Sequence, residues 1–164
     1  SYERLMRREQ ETGPSLPFPT VDEILANKAV CDTLDMIWEE TKSLAGPTQR
    51  QEIGVFIRYD RTTGKFSFGD KKYGPPVNCS QYGYVDDSPK YWQDRCAYFH
   101  THTTFQYCSN VQRNTIPSKM DSNFVNTLHI PGIIYDYNID ELKGGMSKDM
   151  EKKVLKYGVD RRTN

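Results

Sequence analysis

His100 and His102 stand one residue apart in the stretch Ala97-Tyr98-Phe99-His100-Thr101-His102-Thr103. The stretch is aromatic and Thr-rich, as β-strands are. On a strand, side chains at i and i+2 point to the same face. The pair would then offer two imidazoles to one side, a common way to hold a transition metal. A catalytic zinc site usually takes three protein ligands and keeps one position for water. Asp121, at the start of a predicted helix downstream, is the candidate third ligand. Hydrolysis also needs a base that takes a proton from water and returns it to a leaving amine. Glu52, immediately before the apolar run Ile53-Gly54-Val55-Phe56-Ile57-Arg58-Tyr59, is the candidate for that work.

Each of these residues has a plainer reading. The two histidines could sit on a solvated strand face. Ser118-Lys119-Met120-Asp121 is itself a capping box, in which Ser118 caps the helix and Asp121 favours its dipole. Glu52 closes the polar run Gln49-Arg50-Gln51-Glu52 and could be solvated. Glu39 and Glu40 read as the solvated face of a long helix. His129 reads as structural, with replacement of Asp121 as a ligand the alternative. Tyr82, Tyr84, Tyr91 and Trp92 could line a substrate groove or pack a loop onto the core.

Several elements must position these groups. Ser1 to Pro19 is polar and punctuated by prolines, and reads as an arm or linker before a domain over 20–164. Thr20-Val21-Asp22-Glu23 is a capping box, and apolar residues recur at helical spacing from Val21 to Leu44, where Gly46-Pro47 ends the helix. Ile53 to Tyr59 reads as a buried strand and Phe66-Ser67-Phe68 as its hairpin partner. Gly69 to Asp94 is a long loop, of the kind that often carries function. Ala97 to Thr103 is the histidine strand, and Phe105 to Thr115 is a polar loop. A helix opens at Pro117-Ser118 and runs to about Thr127, and Gly132 to Tyr137 is another strand. A short helical stretch over Ser147 to Tyr157 is expected in the charged tail. This order predicts an α/β domain on a single, mainly antiparallel sheet flanked by helices.

Composition narrows the function classes. The 164 residues suit one domain, with a modest apolar fraction of 36% offset by 12% aromatics. Lys plus Arg and Asp plus Glu both number 22. That balance argues against a nucleic-acid or membrane-surface binder, which would carry a basic excess. No apolar run is long enough to cross a bilayer, and Ser1 to Gln10 does not read as a signal peptide. Cys31, Cys79, Cys96 and Cys108 form no C-x-x-C pair, which disfavours a structural zinc knuckle. Reduced thiols and any of three disulfide pairings both fit them. Zinc deaminases place Glu two residues after a His and add P-C-x-x-C, and neither pattern occurs here.

Taken in chain order, Glu52, His100-Thr101-His102 and Ser118-Lys119-Met120-Asp121 resemble the motif of the JAMM/MPN metalloproteases: a glutamate on an early strand, an H-x-H, and a downstream S-x-x-D. Glu52 to Ile57 resembles the family's glutamate strand, and Ile130-Pro131-Gly132-Ile133-Ile134-Tyr135 its strand after the S-x-x-D helix. The resemblance runs from about Asp22 to Tyr137 and is nearest to JAB-like domains of bacterial polymorphic toxins and secreted effectors. Thr103 stands where the family usually has proline, and the gap from His102 to Ser118 is longer than in deubiquitinating members. The resemblance implies a cytidine deaminase-like architecture and a Zn2+ ion on His100, His102 and Asp121. It implies Glu52 as general acid/base and Ser118 as a donor to the oxyanion. The implied reaction is hydrolysis of a peptide or isopeptide bond by zinc-activated water. The implied setting is a secreted or delivered bacterial effector with a protein or peptide substrate and an immunity protein as partner. A catalytically inactive JAMM-like binding module, with a structural metal or none, is the rival expectation.

Overall fold

The computed structural model of the chain describes residues 2–3, 15–78, 81, 83–85, 93–104, 106–107, 111–138 and 151–164. The Thr20 capping box is formed: Thr20 Oγ1 accepts the Glu23 N–H at 3.2 Å, and Glu23 Oε1 accepts the Thr20 N–H at 3.3 Å. The helix it opens is not continuous, contrary to the single rod expected from Val21 to Leu44. Helix α1 spans Val21–Ala26 and α2 spans Lys28–Leu44, with Asn27 extended between them. Asn27 Oδ1 accepts the Val30 N–H at 3.0 Å and caps a second helix. A short amide that competes for backbone donors sits where the chain bends.

The strands are β1 (Ile53–Tyr59), β2 (Phe66–Phe68), β3 (Lys72–Tyr73), β4 (Arg95–Thr101), β5 (Gln106–Tyr107), β6 (Val111–Gln112), β7 (Pro131–Tyr137) and β8 (Lys152–Gly158); helix α3 (Lys119–Leu128) lies between β6 and β7. The main sheet runs β2-β1-β4-β7-β8, and β3 also pairs with β1. β4 and β7 are parallel, and the other pairings of this sheet are antiparallel. The fold is therefore mixed α/β on one open, mainly antiparallel sheet. β5 and β6 form a separate small hairpin inside the stretch expected to be a polar loop.

The expected helix over Ser147–Tyr157 is overturned within the described residues. Lys152 to Tyr157 belong to β8, paired with β7 in unbroken register from Pro131↔Gly158 to Tyr137↔Lys152. Pairing supplies partners to the backbone groups along the edge of β7, which local helix preference in a Lys-rich segment does not.

Strand alternation divides the core into two faces. On one, Ile53, Val55, Ile57, Phe99, Ile133 and Tyr135 pack with Val21, Ile24, Leu34, Ile37 and Trp38 of α1 and α2, joined by Phe18 from the segment that precedes them. On the other, Phe56 and Tyr98 pack with Val125 of α3, Ile130 and the flanking Phe124, Leu128 and Tyr157. The second face carries the histidines. Among the described residues no helix is long and apolar enough to cross a membrane.

That face is crowded enough to need glycine at Gly132. A Cβ there would meet the Tyr157 ring at 2.3–2.7 Å. Gly132→Ala is expected to destabilise the protein by roughly 1–3 kcal/mol, the range for overpacking a core. At Gly46 the nearest neighbour of an added Cβ is 3.9 Å away, so Gly46→Ala is the control expected to stay within about 1 kcal/mol of the parent. Chemical denaturation of the two variants checks the difference.

Candidate metal centre

The register of β4 fixes where its histidines look. His100 pairs with Gly54 of β1 and with Ile134 of β7. His102 lies just past the end of β4 and donates its backbone N–H to Tyr135 O at 2.9 Å, so β7 continues to hold it. Thr101 between them points to the opposite face. Its Oγ1 lies 2.6 Å from Thr41 Oγ1 of α2 and accepts the Ile53 N–H at 3.1 Å. The end of β4 is thus pinned from behind, and both imidazoles face α3. They are buried, at 4% and 8% exposure, and their ring centroids are 5.0 Å apart.

Helix α3 delivers Asp121 to the same place. His100 Nε2 is 3.2 Å from Asp121 Oδ1, and His102 Nε2 is 3.2 Å from Asp121 Oδ2. One ligand atom from each of the three residues lies within 4.8 Å of the others, so this cluster could hold a metal ion. The donor set suits one: two neutral imidazole nitrogens and one carboxylate oxygen are ordinary first-row metal ligands. Atoms bound to a tetrahedral zinc at about 2.0–2.1 Å stand roughly 3.3 Å apart, close to the spacing between Asp121 and each ring.

Asp121 also does what its plainer reading required. Ser118 Oγ accepts the Asp121 N–H at 3.0 Å, and Asp121 Oδ2 accepts the Ser118 N–H at 2.8 Å. The capping box and the contact to the histidines are one structure, since the cap aims the carboxylate. Ser118 itself is exposed.

Glu52 lies two residues before Gly54, the cross-strand partner of His100, and alternation places it on the histidine face. Its backbone carbonyl accepts the Gly74 N–H at 2.8 Å, and a Cβ on Gly83 would stand 3.9 Å from its Cγ. The long loop after β2 therefore passes over it. Burial pushes the Glu52 carboxyl above its ordinary range; His102 and His100 pull it down and Asp121 adds to the rise. Of the aromatic quartet, Tyr84 is exposed on this loop, while Tyr82, Tyr91 and Trp92 lie outside the described residues.

Two site residues were not singled out from the sequence. Asp136 of β7 is fully buried, and its Oδ2 accepts a hydrogen bond from His102 Nδ1 at 2.8 Å. Arg113, from the segment between β6 and α3, grips the same carboxylate, Nη1 to Oδ2 at 2.9 Å and Nη2 to Oδ1 at 2.5 Å. Arg113 also donates to the Thr103 carbonyl, and Arg50 donates to Thr103 Oγ1 at 3.0 Å. The available signal was an acidic residue inside the apolar run Gly132-Ile133-Ile134-Tyr135-Asp136-Tyr137. On the other ring, Tyr157 Oη lies 3.4 Å from His100 Nδ1.

The remaining candidates fall elsewhere. His129 is the left-handed cap of α3, with φ 56°, and is exposed rather than in the cluster. Glu40 binds Lys71 and Tyr73, and Glu39 pairs with Lys42. Cys31 and Cys96 are free thiols, while Cys79 and Cys108 lie outside the described residues. Comparison of the chain with protein-family models, with curated proteins and with solved structures gives no match.

With no metal bound, His102 meets a carboxylate at each ring nitrogen. Burial works against its charge, but hydrogen bonds to Asp121 and Asp136 and the nearby negative charges outweigh it and raise its pKa to about 9. Asp121 is held correspondingly far below the usual carboxylate range, its own burial overcome by the two histidines. A metal on His102 Nε2 must displace the proton that this raised pKa keeps there. Affinity for a divalent cation is therefore expected to climb with pH through neutrality and to level off near pH 9, the value at which His102 loses that proton unaided. Titration calorimetry at pH 7 in buffers of differing ionisation enthalpy should show proton release on binding. Affinity that does not vary with pH would contradict the assignment of His102 as a ligand.

Proposed function

We propose that the chain is a zinc-dependent hydrolase of the JAMM-like kind that cleaves a peptide or isopeptide bond. The observation that carries this reading is the meeting of two chemistries on one sheet face. The cluster His100, His102 and Asp121 can hold a metal. Beside it, Glu52 has a carboxyl that burial shifts toward neutrality, as a proton-transferring group requires. The motif order Glu52, H-T-H, S-x-x-D supports the same reading, as does α3 presenting Asp121 over the histidine strand.

Bound zinc would supply the Lewis acidity that activates water and polarises a carbonyl. Glu52 would take the proton from the attacking water and pass it to the leaving nitrogen. Ser118 accepts the Asp121 N–H through an Oγ lone pair, so its hydroxyl proton stays available to donate to a developing oxyanion. Burial of the histidine pair keeps bulk water from the ligands, which strengthens each of these interactions.

An effector or toxin domain with a protein or peptide substrate, neutralised by an immunity protein, is the setting we infer from the same motif. A non-catalytic JAMM-like scaffold accounts for the sheet and the metal ligands. It gives no reason for a loop residue to pack on Glu52 or for a second carboxyl to stand beside the cluster.

Glu52→Gln is expected to keep zinc at one equivalent and to lower hydrolysis by about 10²–10⁴-fold, the range for loss of a general acid/base. Mass spectrometry of a mixed-sequence peptide library incubated with parent and variant, paired with metal analysis of both, checks this. Undiminished cleavage by the variant would remove Glu52 from the mechanism.

A further inference from the structure

The two metal-facing imidazoles have different partners behind them, and the difference bears on which nitrogen each can offer. A histidine that ligates through Nε2 must carry its remaining proton on Nδ1. His102 Nδ1 is 2.8 Å from Asp136 Oδ2, and an ionised carboxylate can only accept. Asp136 sits among donors, with the Arg113 guanidinium on both of its oxygens, a setting that suits the ionised, accept-only carboxylate. Its oxygens are fully used. Oδ2 takes His102 and Arg113 Nη1, while Oδ1 takes Arg113 Nη2 and, at 2.6 Å, the Tyr137 N–H. His100 Nδ1 instead faces the Tyr157 hydroxyl at the longer distance of 3.4 Å, and a phenol can donate or accept.

We infer that Asp136, clamped by Arg113, is a positioning residue that commits His102 to the Nδ1–H form and so to metal binding through Nε2. Tyr157 orients His100 but leaves its tautomer free. This rests on the metal reading of the cluster and adds residues from outside the motif that suggested it. Parallel pairing of β4 with β7, in the register His100↔Ile134, is what sets Asp136 beside His102. Arg113 comes from the long segment between the histidines and Ser118, so that segment helps build the centre. Partners of this kind change metal affinity by about 10–100-fold when removed.

Asp136→Asn keeps the shape and removes the commitment. Whichever way the amide turns, its NH₂ meets donors, either Arg113 and the Tyr137 N–H or Arg113 and His102 Nδ1–H. The second arrangement favours the tautomer with its proton on Nε2, which cannot ligate. Zinc affinity of the full chain, measured by chelator competition, is expected to fall about 10–100-fold in D136N. In Y157F it should fall several-fold less than in D136N. The visible absorption of the cobalt-substituted protein should change in D136N, a signature that mere loss of stability would not move.

A second measurement needs no variant. Nitrogen-15 NMR of the parent protein should find Nδ1 of His102 protonated both before and after zinc loading, with the Nε2 proton lost only on loading. Parent protein that binds no zinc would overturn the metal reading and this inference with it. Parent protein that binds zinc, with D136N equal to it in affinity and spectrum or with His102 Nδ1 unprotonated, would overturn this inference alone.

Discussion

One carboxylate between two imidazoles is the contact on which the rest of this molecule depends. Asp121 is 3.2 Å from each ring, and the same side chain closes the capping box that opens its helix. Buried charges of this kind persist only when each is paired and hydrogen-bonded. Here the pairing extends outward: His102 passes to Asp136, Asp136 to Arg113, and Arg113 to the Thr103 carbonyl. Each step ties a different part of the chain to the end of β4. Removing one member would leave a neighbouring charge buried without its partner.

The fold serves that contact through three fixed directions. Alternation along β4 sends His100 and His102 one way and Thr101 the other. Thr101 is held by Thr41 and the Ile53 backbone, so the strand cannot rotate its histidines away. Parallel pairing to β7 supplies Asp136, and antiparallel pairing of β7 to β8 supplies Tyr157 over the space that Gly132 leaves open. The Ser118 cap then fixes the entry angle of α3 and, through the same Asp121 side chain, completes the cluster. Stability and ligand placement are therefore not separable at this helix terminus.

What the sequence displayed and what it hid follow from the range of the interactions. The H-x-H on a strand, the S-x-x-D cap and the Thr20 cap are local patterns, and each was legible from spacing alone. Asp121 as neighbour of both histidines was legible as a candidate, because a helix after the strand had to lie on one sheet face or the other. Asp136 and Arg113 were not legible, because their meeting with His102 depends on the β4–β7 register and on a 15-residue path from His102 to Ser118 through a small hairpin. The Lys-rich sequence of β8, with its scattered apolar residues, fits a helix until the open edge of β7 is considered. Apolar spacing continues across Asn27 and hides the break there, which only the capping ability of the Asn side chain marks in the sequence. Glu52 was visible as a residue beside a strand, but its enclosure comes from a loop whose course the sequence does not reveal.

The central claim is that one metal ion sits on these three side chains. Anomalous diffraction at the zinc edge from crystals of the zinc-loaded protein tests it most directly. The expected result is a single strong peak within bonding distance, about 2.0–2.2 Å, of His100 Nε2, His102 Nε2 and an Asp121 carboxylate oxygen. A zinc-loaded crystal with no peak at the cluster, or with its peak on other residues, would contradict it.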